Sequence, residues 1–112
     1  MLGIGDLPAI DEIIRLGVDT FDSSHPTKCA RHGHLFSSQG TVKILQGKHK
    51  MNMQPIDPLC SCYTCKNYKA CYIHHLFKTY EPIALTLATI HNVHFMVQLM
   101  KQYRQAILDG KI

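Results

Sequence analysis

Cys60-Ser61-Cys62-Tyr63-Thr64-Cys65 places three thiols within six residues, close enough to converge on one metal ion before any long-range folding. Zinc takes four tetrahedral ligands from thiolate and imidazole, so this stretch supplies three and needs one more from elsewhere. The candidates are Cys71, His74, His75 and His91. Cys71 follows Cys65 on the same predicted helix, nearly two turns on, and would face away from an ion held at the helix start. His91, borne on the next predicted helix, could clamp the two helices together. Four protein ligands leave no open position, so such an ion would hold structure rather than activate water. The plain alternative is three cysteines sharing a loop, but unliganded thiols seldom cluster in a polar segment.

Five cysteines are an odd number, and the close spacing of three of them does not suit a disulfide framework. Metal thiolates in a reducing cytoplasm fit better. A length of 112 residues suits one small domain or a piece of a larger one. Hydrophobic residues make up 46% and charged residues 18%, which argues against disorder. The net charge of +4 is spread along the chain and tolerates a polyanionic partner. No apolar run approaches the roughly 20 residues of a membrane span, and no basic-then-apolar leader opens the chain. The expectation is a soluble, unexported, cytoplasmic protein with no membrane partner.

Met1 to Gly5 reads as the end of a strand, with Asp6 as helix N-cap and Pro8 in the first turn. Leu7, Ile10, Ile13 and Ile14 repeat at helical spacing up to Gly17, a C-cap, and Val18 to Phe21 reads as a strand. Strand end, helix and strand form a βαβ unit of a parallel sheet. His34–Ser37 and Thr41–Ile44 flank Ser38-Gln39-Gly40 as a β-hairpin. Lys48 to Pro58 reads as a linker. One helix is expected from about Cys65 to Lys78 and a longer one from near Pro82 to Gly110, with Val93, Met96, Val97, Met100, Tyr103 and Ile107 as its core stripe. Two parallel strands cannot close a sheet, so the chain is expected to be oligomeric or the end of a longer protein.

Asp22 stands at the C-terminal end of the expected strand, where barrels and open α/β sheets carry their chemistry. A carboxylate there either caps the next turn or takes part in catalysis. Asp19, Asp11 and Glu12 read as solvated or paired surface groups. Pro26 to His34 reads as a polar loop with two fixed cations and two histidines, suited to an anionic substrate such as RNA or simply solvated. Gly3-Ile4-Gly5-Asp6 could offer backbone N–H groups to a phosphate, or the glycines serve the turn alone.

Gly3-Ile4-Gly5, Gly17-Val18-Asp19-Thr20-Phe21-Asp22, Pro26 to Gly33, Cys60-x-Cys62-x-x-Cys65 and Thr89-Ile90-His91-Asn92, in that order, resemble the C-terminal portion of tRNA-guanine transglycosylase. The resemblance runs over essentially the whole chain and about the last third of the usual family length. It implies an α/β fold, the C-terminal part of a (β/α)8 TIM barrel with an inserted zinc-binding subdomain of β-hairpin plus helices. Residues 1–32 would be the last βαβ unit, and residues 33–112 the hairpin, zinc subdomain and C-terminal helix. The implied reaction exchanges guanine at the wobble position of GUN-anticodon tRNAs for a 7-deazaguanine base of the queuosine pathway.

By the same resemblance, Asp22 is the nucleophile that attacks C1′ of the target ribose and forms a covalent intermediate. Thr27, Lys28, Cys29, Ala30 and Arg31 match the segment that contacts the tRNA anticodon loop. Gly3, Ile4, Gly5, Asp6, Leu7, Pro8 and Ala9 match a second RNA-contacting stretch, with Leu2 and Gly3 beside the bound base. Cys60, Cys62, Cys65 and His91 hold one structural zinc per chain, and the helix around Tyr72 and His75 serves a homodimer. Many relatives have Cys, Met and Arg-Asn where this chain has Ser23, His25 and Lys28-Cys29, and methionine at Leu2. Lys28 keeps the positive charge but loses the planar fork of arginine. The earlier strands, with the acid/base aspartate and the base-reading residues, are missing, so the chain alone is expected to be inactive. The alternative is a non-catalytic, zinc-stabilised module that binds RNA or a partner.

Overall fold

The structure is a computed structural model that describes residues 7–18, 23–38 and 40–110, with only the backbone of Leu7 and Pro8. In chain order it comprises α1 (Leu7–Arg15), α2 (His25–Arg31), β1 (His34–Ser37), β2 (Gly40–Lys43), a 3-10 turn (Gly47–His49), α3 (Tyr63–Asn67), α4 (Ala70–Lys78) and α5 (Pro82–Leu108). The strand end expected at residues 1–5 lies outside the described residues. So does the strand expected from Val18, apart from Val18 itself, which follows α1 without strand structure.

Helix α1 buries Ile10 and Ile14, one turn apart. It stops at Gly17, whose φ of 99° belongs to the left-handed region that glycine enters without steric cost. Asp11 is a paired surface group: Arg15 Nε donates to its Oδ2 at 3.1 Å and Tyr103 Oη to its Oδ1 at 3.0 Å, joining α1 to α5. These donors hold its carboxyl below the usual carboxylate range.

The segment expected to be a polar loop, including Thr27 to Arg31, is instead helix α2. Pro26 stands in its first turn, where a missing N–H costs nothing. Ala30 is fully buried, and α2 packs on both α5 and β1. Short helices of middling propensity form when tertiary packing supports one face, and here it does.

The hairpin forms where expected, antiparallel, with His34 opposite Lys43 and Ser37 opposite Gly40. Residues 48–58 do not form a free linker. Ala70 N–H donates to Gln54 O at 2.8 Å and Cys71 N–H to Asn52 O at 2.9 Å, while His49, Ile56 and Asp57 are buried. The segment is a strap that satisfies orphan donors at the start of α4.

The same strap explains why the single helix expected from Cys65 to Lys78 is two. In a continuous helix Ala70 and Cys71 would donate to Lys66 and Asn67. Those donors go to the strap, and Tyr68 and Lys69 adopt extended backbone between α3 and α4.

Helix α5 carries the core at its N-terminal half through Ala84, Leu87, Ala88, His91 and Asn92, packed with Leu35, Ile44, Ile56, Ile73 and Leu76. The stripe expected to be core is not. Val93, Val97 and Ile107 are 42%, 47% and 50% exposed, and Met96, Met100 and Tyr103 are half-buried beside α1. Periodicity identified a face, but the compact core ends near Asn92 while the 27-residue helix runs on.

Against the expectation of no spanning segment, α5 is long and apolar enough by length and composition to cross a bilayer. Its buried half nevertheless carries His91 and Asn92, whose polar atoms are hydrogen-bonded inside the protein. That half belongs to the core of the protein.

His49 is 8% exposed, and its Nε2 is buried without a partner among the described residues. Burial lowers its pKa, helped by the positive charges that Lys48 and His74 can bring near it. A histidine depressed in the folded state favours folding fully above its unfolded pKa of about 6.5, and that contribution is lost as pH falls. Denaturation between pH 7 and 5 should therefore show a steeper loss of stability in the unaltered chain than in His49→Phe. Parallel curves would exclude His49 as a source of acid sensitivity.

Candidate metal centre

The thiol cluster is built by the start of α3. Cys62 is its N-cap in extended conformation, and its Sγ accepts from Cys65 N–H at 3.3 Å. Cys60 Sγ accepts from Cys62 N–H at 3.4 Å. Backbone N–H groups directed at sulfur favour the thiolate form that binds metal. Thr64, fully buried between these cysteines, donates from Oγ1 to Leu87 O at 2.7 Å and docks α3 on α5.

His91 reaches the cluster from α5, with Nδ1 at 3.7, 3.4 and 3.3 Å from the sulfurs of Cys60, Cys62 and Cys65. Its Nε2 lies 2.6 Å from Phe36 O. A carbonyl can only accept, so Nε2 carries the proton and Nδ1 presents its lone pair to the thiols. Cys60, Cys62, Cys65 and His91 have ligand atoms that all lie within 4.8 Å of one another. Three of the residues are buried and Cys60 is half-buried. Three sulfurs and one fixed imidazole nitrogen form a donor set that could hold a metal ion.

The electrostatics agree with that chemistry. A hydrogen bond from Cys65 holds the Cys62 thiol down to about 3, against burial. Cys65 is pushed far up, first by the hydrogen bond its thiol donates to Cys62 and then by burial, while burial is the main cause raising Cys60. Without a cation the pocket stabilises one thiolate and resists the next. A divalent ion would offset that crowding and let all three deprotonate.

The other candidate ligands are elsewhere. Cys71 Sγ lies 3.8 Å from Met53 Sδ. His74 is buried, with Nδ1 2.6 Å from Ile44 O, and His75 is exposed on α4. Asp22 and Leu2, Gly3, Ile4, Gly5 and Asp6 lie outside the described residues. Leu7 and Pro8 contribute backbone to α1, and Ala9 is half-buried there. On α2, Lys28 and Arg31 are exposed, Thr27 and Cys29 are half-buried, and Ala30 is in the core. Cys29 Sγ rests 3.7 and 3.8 Å from the two ring nitrogens of His25, whose ring stacks on Phe36 at 5.5 Å.

Two further polar residues organise the site. Asn92 Oδ1 accepts from Phe36 N–H at 3.0 Å, while its Nδ2 donates to Pro26 O and His34 O, each at 3.0 Å. His91 and Asn92 thus take both backbone groups of Phe36, and Asn92 also holds the first turn of α2. Asp57, 3% exposed, accepts from Ser38 N–H, Ser38 Oγ and Leu59 N–H beside Cys60. The signal for Asn92 was available: Ala84, Leu87, Ala88, His91 and Asn92 share the i, i+3, i+4, i+7, i+8 face of a helix. Asp57 carried no comparable pattern.

Elemental analysis should find one metal ion per chain, and Cys62→Ser should carry less than about a tenth of it, because three donors seldom retain an ion under purification. Full metal retention by Cys62→Ser would refute the ligand set. Asn92→Ala should keep the ion yet lose about 3 kcal/mol in denaturant unfolding, since it leaves the buried N–H of Phe36 and the half-buried carbonyls of Pro26 and His34 with one partner fewer.

The family model for queuine tRNA-ribosyltransferase matches residues 1–112. A queuine tRNA-ribosyltransferase from Chlamydia felis is 50% identical over 113 residues, covering all of this chain and 30% of the relative. The corresponding protein of Protochlamydia amoebophila is 48% identical over 112 residues, covering all of this chain and 29% of the relative. The chain therefore spans about 30% of the length of the curated relatives it matches, corresponding to their C-terminal part. With a match along its whole length and a cluster of three thiols and one imidazole at its centre, the chain belongs to the queuine tRNA-ribosyltransferase family.

Proposed function

We propose that this chain is the C-terminal part of a tRNA-guanine transglycosylase, a pentosyltransferase that exchanges guanine at the wobble position of GUN-anticodon tRNAs for a 7-deazaguanine base. The observation that carries this reading is the family match over all 112 residues. In it, residues 1–32 are the last βαβ unit of a (β/α)8 barrel and residues 33–112 the hairpin, metal subdomain and C-terminal helix. The setting is cytoplasmic.

In this reading the Asp22 carboxylate attacks C1′ as the bond to guanine breaks, and the glycosidic electron pair leaves with the base. Departing guanine takes up a proton at its glycosidic nitrogen. The incoming base then loses the proton from its own ring nitrogen to an acid/base group of the earlier strands as it attacks C1′ and releases Asp22, so two displacements restore the original configuration. Lys28 and Arg31, exposed on α2, are available to the phosphates of the anticodon loop, with Thr27, Cys29 and Ala30 on the same helix. The segment from Gly3 to Ala9 is the second RNA contact, and Leu2 with Gly3 borders the base.

Zinc is the ion we assign to Cys60, Cys62, Cys65 and His91, because soft thiolates with one imidazole in a closed set suit it. When bound, it braces α3 against α5 and supplies no open coordination position. A homodimer through α4 is supported by the exposure of Tyr72 and His75 and by the stacking of Tyr68 on Tyr72 at 5.4 Å.

One observation favours a second reading for the chain acting alone: most of each relative's length has no counterpart in it. The second reading is a non-catalytic, metal-stabilised module that binds RNA or a partner. Salt-sensitive tRNA binding by this chain, without base exchange even when the rest of the fold is supplied, would favour that module.

The deciding experiment places these 112 residues in a chimaera, replacing the matching stretch of the Chlamydia felis protein. Labelled guanine should exchange into tRNA, and a tRNA adduct should survive denaturing electrophoresis. Asp22→Asn should remove the adduct and slow exchange by at least about 10³-fold, the scale on which loss of a covalent nucleophile acts. An adduct that persists in Asp22→Asn would place the nucleophile elsewhere.

A further inference from the structure

Residues 45–54 run along the surface, and His49 is the one buried side chain among them. Leu45, Met51 and Met53, the apolar residues of the stretch, are all exposed, so no hydrophobic anchor holds it. The core resumes only at Ile44 on one side and Ile56 on the other. Backbone bonds do the rest: Asn52 N–H donates to His49 O, and the carbonyls of Asn52 and Gln54 accept from Cys71 and Ala70 at the start of α4. Such bonds exchange for bonds to water at small net cost. The burial of one imidazole therefore decides whether this part of the strap stays docked.

The docked site suits the neutral ring alone. In an imidazolium both ring nitrogens carry a proton, and the one on Nε2 would be buried with no acceptor among the described residues. The 3-10 turn that carries His49 packs on α4. The charges that bear on the ring are those of Lys48 on its own turn and of His74 on α4, both positive when protonated. Lys50 on the turn and His75 on α4 are exposed, and the Cys71 thiol rests against Met53. Asp57 is the only carboxylate between Ser23 and Tyr80, and its oxygens are taken by Ser38 and Leu59. A charged His49 would thus be buried without a counter-ion from the strap or from α4.

We infer that His49 is an acid-released latch: neutral, it pins residues 45–54 against the start of α4, and once protonated it moves to water and lifts the strap while the core between Ile44 and Ile56 stays closed. The sign follows from the same contacts. Burial first, and then the two positive neighbours, make the docked ring harder to protonate than the free one. Docking is fully favoured above the free ring's pKa of about 6.5 and is lost as pH falls below it. A local opening of this kind leaves the global fold in place, and it is independent of the reaction assigned above.

Amide hydrogen exchange of the 112-residue chain at pH 7 and pH 5, with each rate divided by its intrinsic value, tests the latch. The amides of Ala70 and Cys71, which donate to the strap, should lose about tenfold in protection at pH 5, within the roughly thirtyfold that a free histidine of pKa about 6.5 allows. The amides of Phe36 and Ile44 should keep theirs within about twofold, because their partners lie outside the strap. His49→Phe fills the site without a titrating group and should hold Ala70 and Cys71 within about twofold as well. Lys48→Glu, at an exposed position, should shrink the loss, since an attractive charge replaces a repulsive one.

Undiminished protection of Ala70 and Cys71 at pH 5 in the unaltered chain would overturn the inference. So would an equal loss in His49→Phe, which would name another group, or a loss shared by Phe36 and Ile44, which would make acid act on the whole fold. Should His49→Phe not fold, the comparison with Lys48→Glu decides, and the same loss in both chains would remove His49 from the latch.

Discussion

One hydrogen bond governs the rest of the arrangement, that from His91 Nε2 to the carbonyl oxygen of Phe36. It fixes the tautomer, and the tautomer decides which nitrogen can meet the thiols. With Nε2 committed to the strand, Nδ1 has no other role than to face Cys60, Cys62 and Cys65. A single imidazole therefore joins three elements: the hairpin by its proton, α3 by its lone pair, and α5 by its backbone. The ring is fully buried, so neither contact is diluted by water.

Asn92 extends the same logic by one residue. Its side chain satisfies the N–H of Phe36 and the carbonyls of Pro26 and His34. Consecutive helix residues diverge by about 100°, so His91 and Asn92 can grip one strand residue from two sides only in one rotational setting of α5. Two buried polar side chains thereby specify the register of the longest helix against the hairpin. Apolar contacts among Leu35, Leu87 and Ala88 would stabilise burial but discriminate poorly between neighbouring settings. The placement of α2, with Lys28 and Arg31 on its exposed side, follows from that setting.

The parts legible in the sequence were those whose determinants are local. The three thiols and the hairpin around Gly40 are set by spacing within a few residues, and α5 announces itself by Pro82 and a long apolar period. His91 could be named from the family resemblance, and its place on the buried face of α5 was readable from helical spacing. What escaped depends on distant partners. The break at Tyr68 and Lys69 exists because carbonyls of Asn52 and Gln54 take the donors of α4, and residues 25–31 coil because Asn92 and the core accept them. The stripe from Val93 to Ile107 was correctly helical and wrongly core, since periodicity reports which residues share a face but not what covers it.

The described molecule is consequently uneven in its cohesion. Around His91 the core is closed on every side by α3, α4, the strap and the hairpin, and its donor set can add the free energy of metal binding to a core too small to be generous. Towards the C-terminus α5 is joined to α1 by the bond from Tyr103 to Asp11, and Val97, Ile107 and Leu108 are exposed. Free energies of local opening follow such differences in burial and hydrogen bonding. The half that contains the donor set holds α2 in place through Asn92, so it positions the exposed cations of α2 without touching them. A donor set held apart from α2 yet joined to it through one asparagine separates the need for rigidity from the need for an open surface.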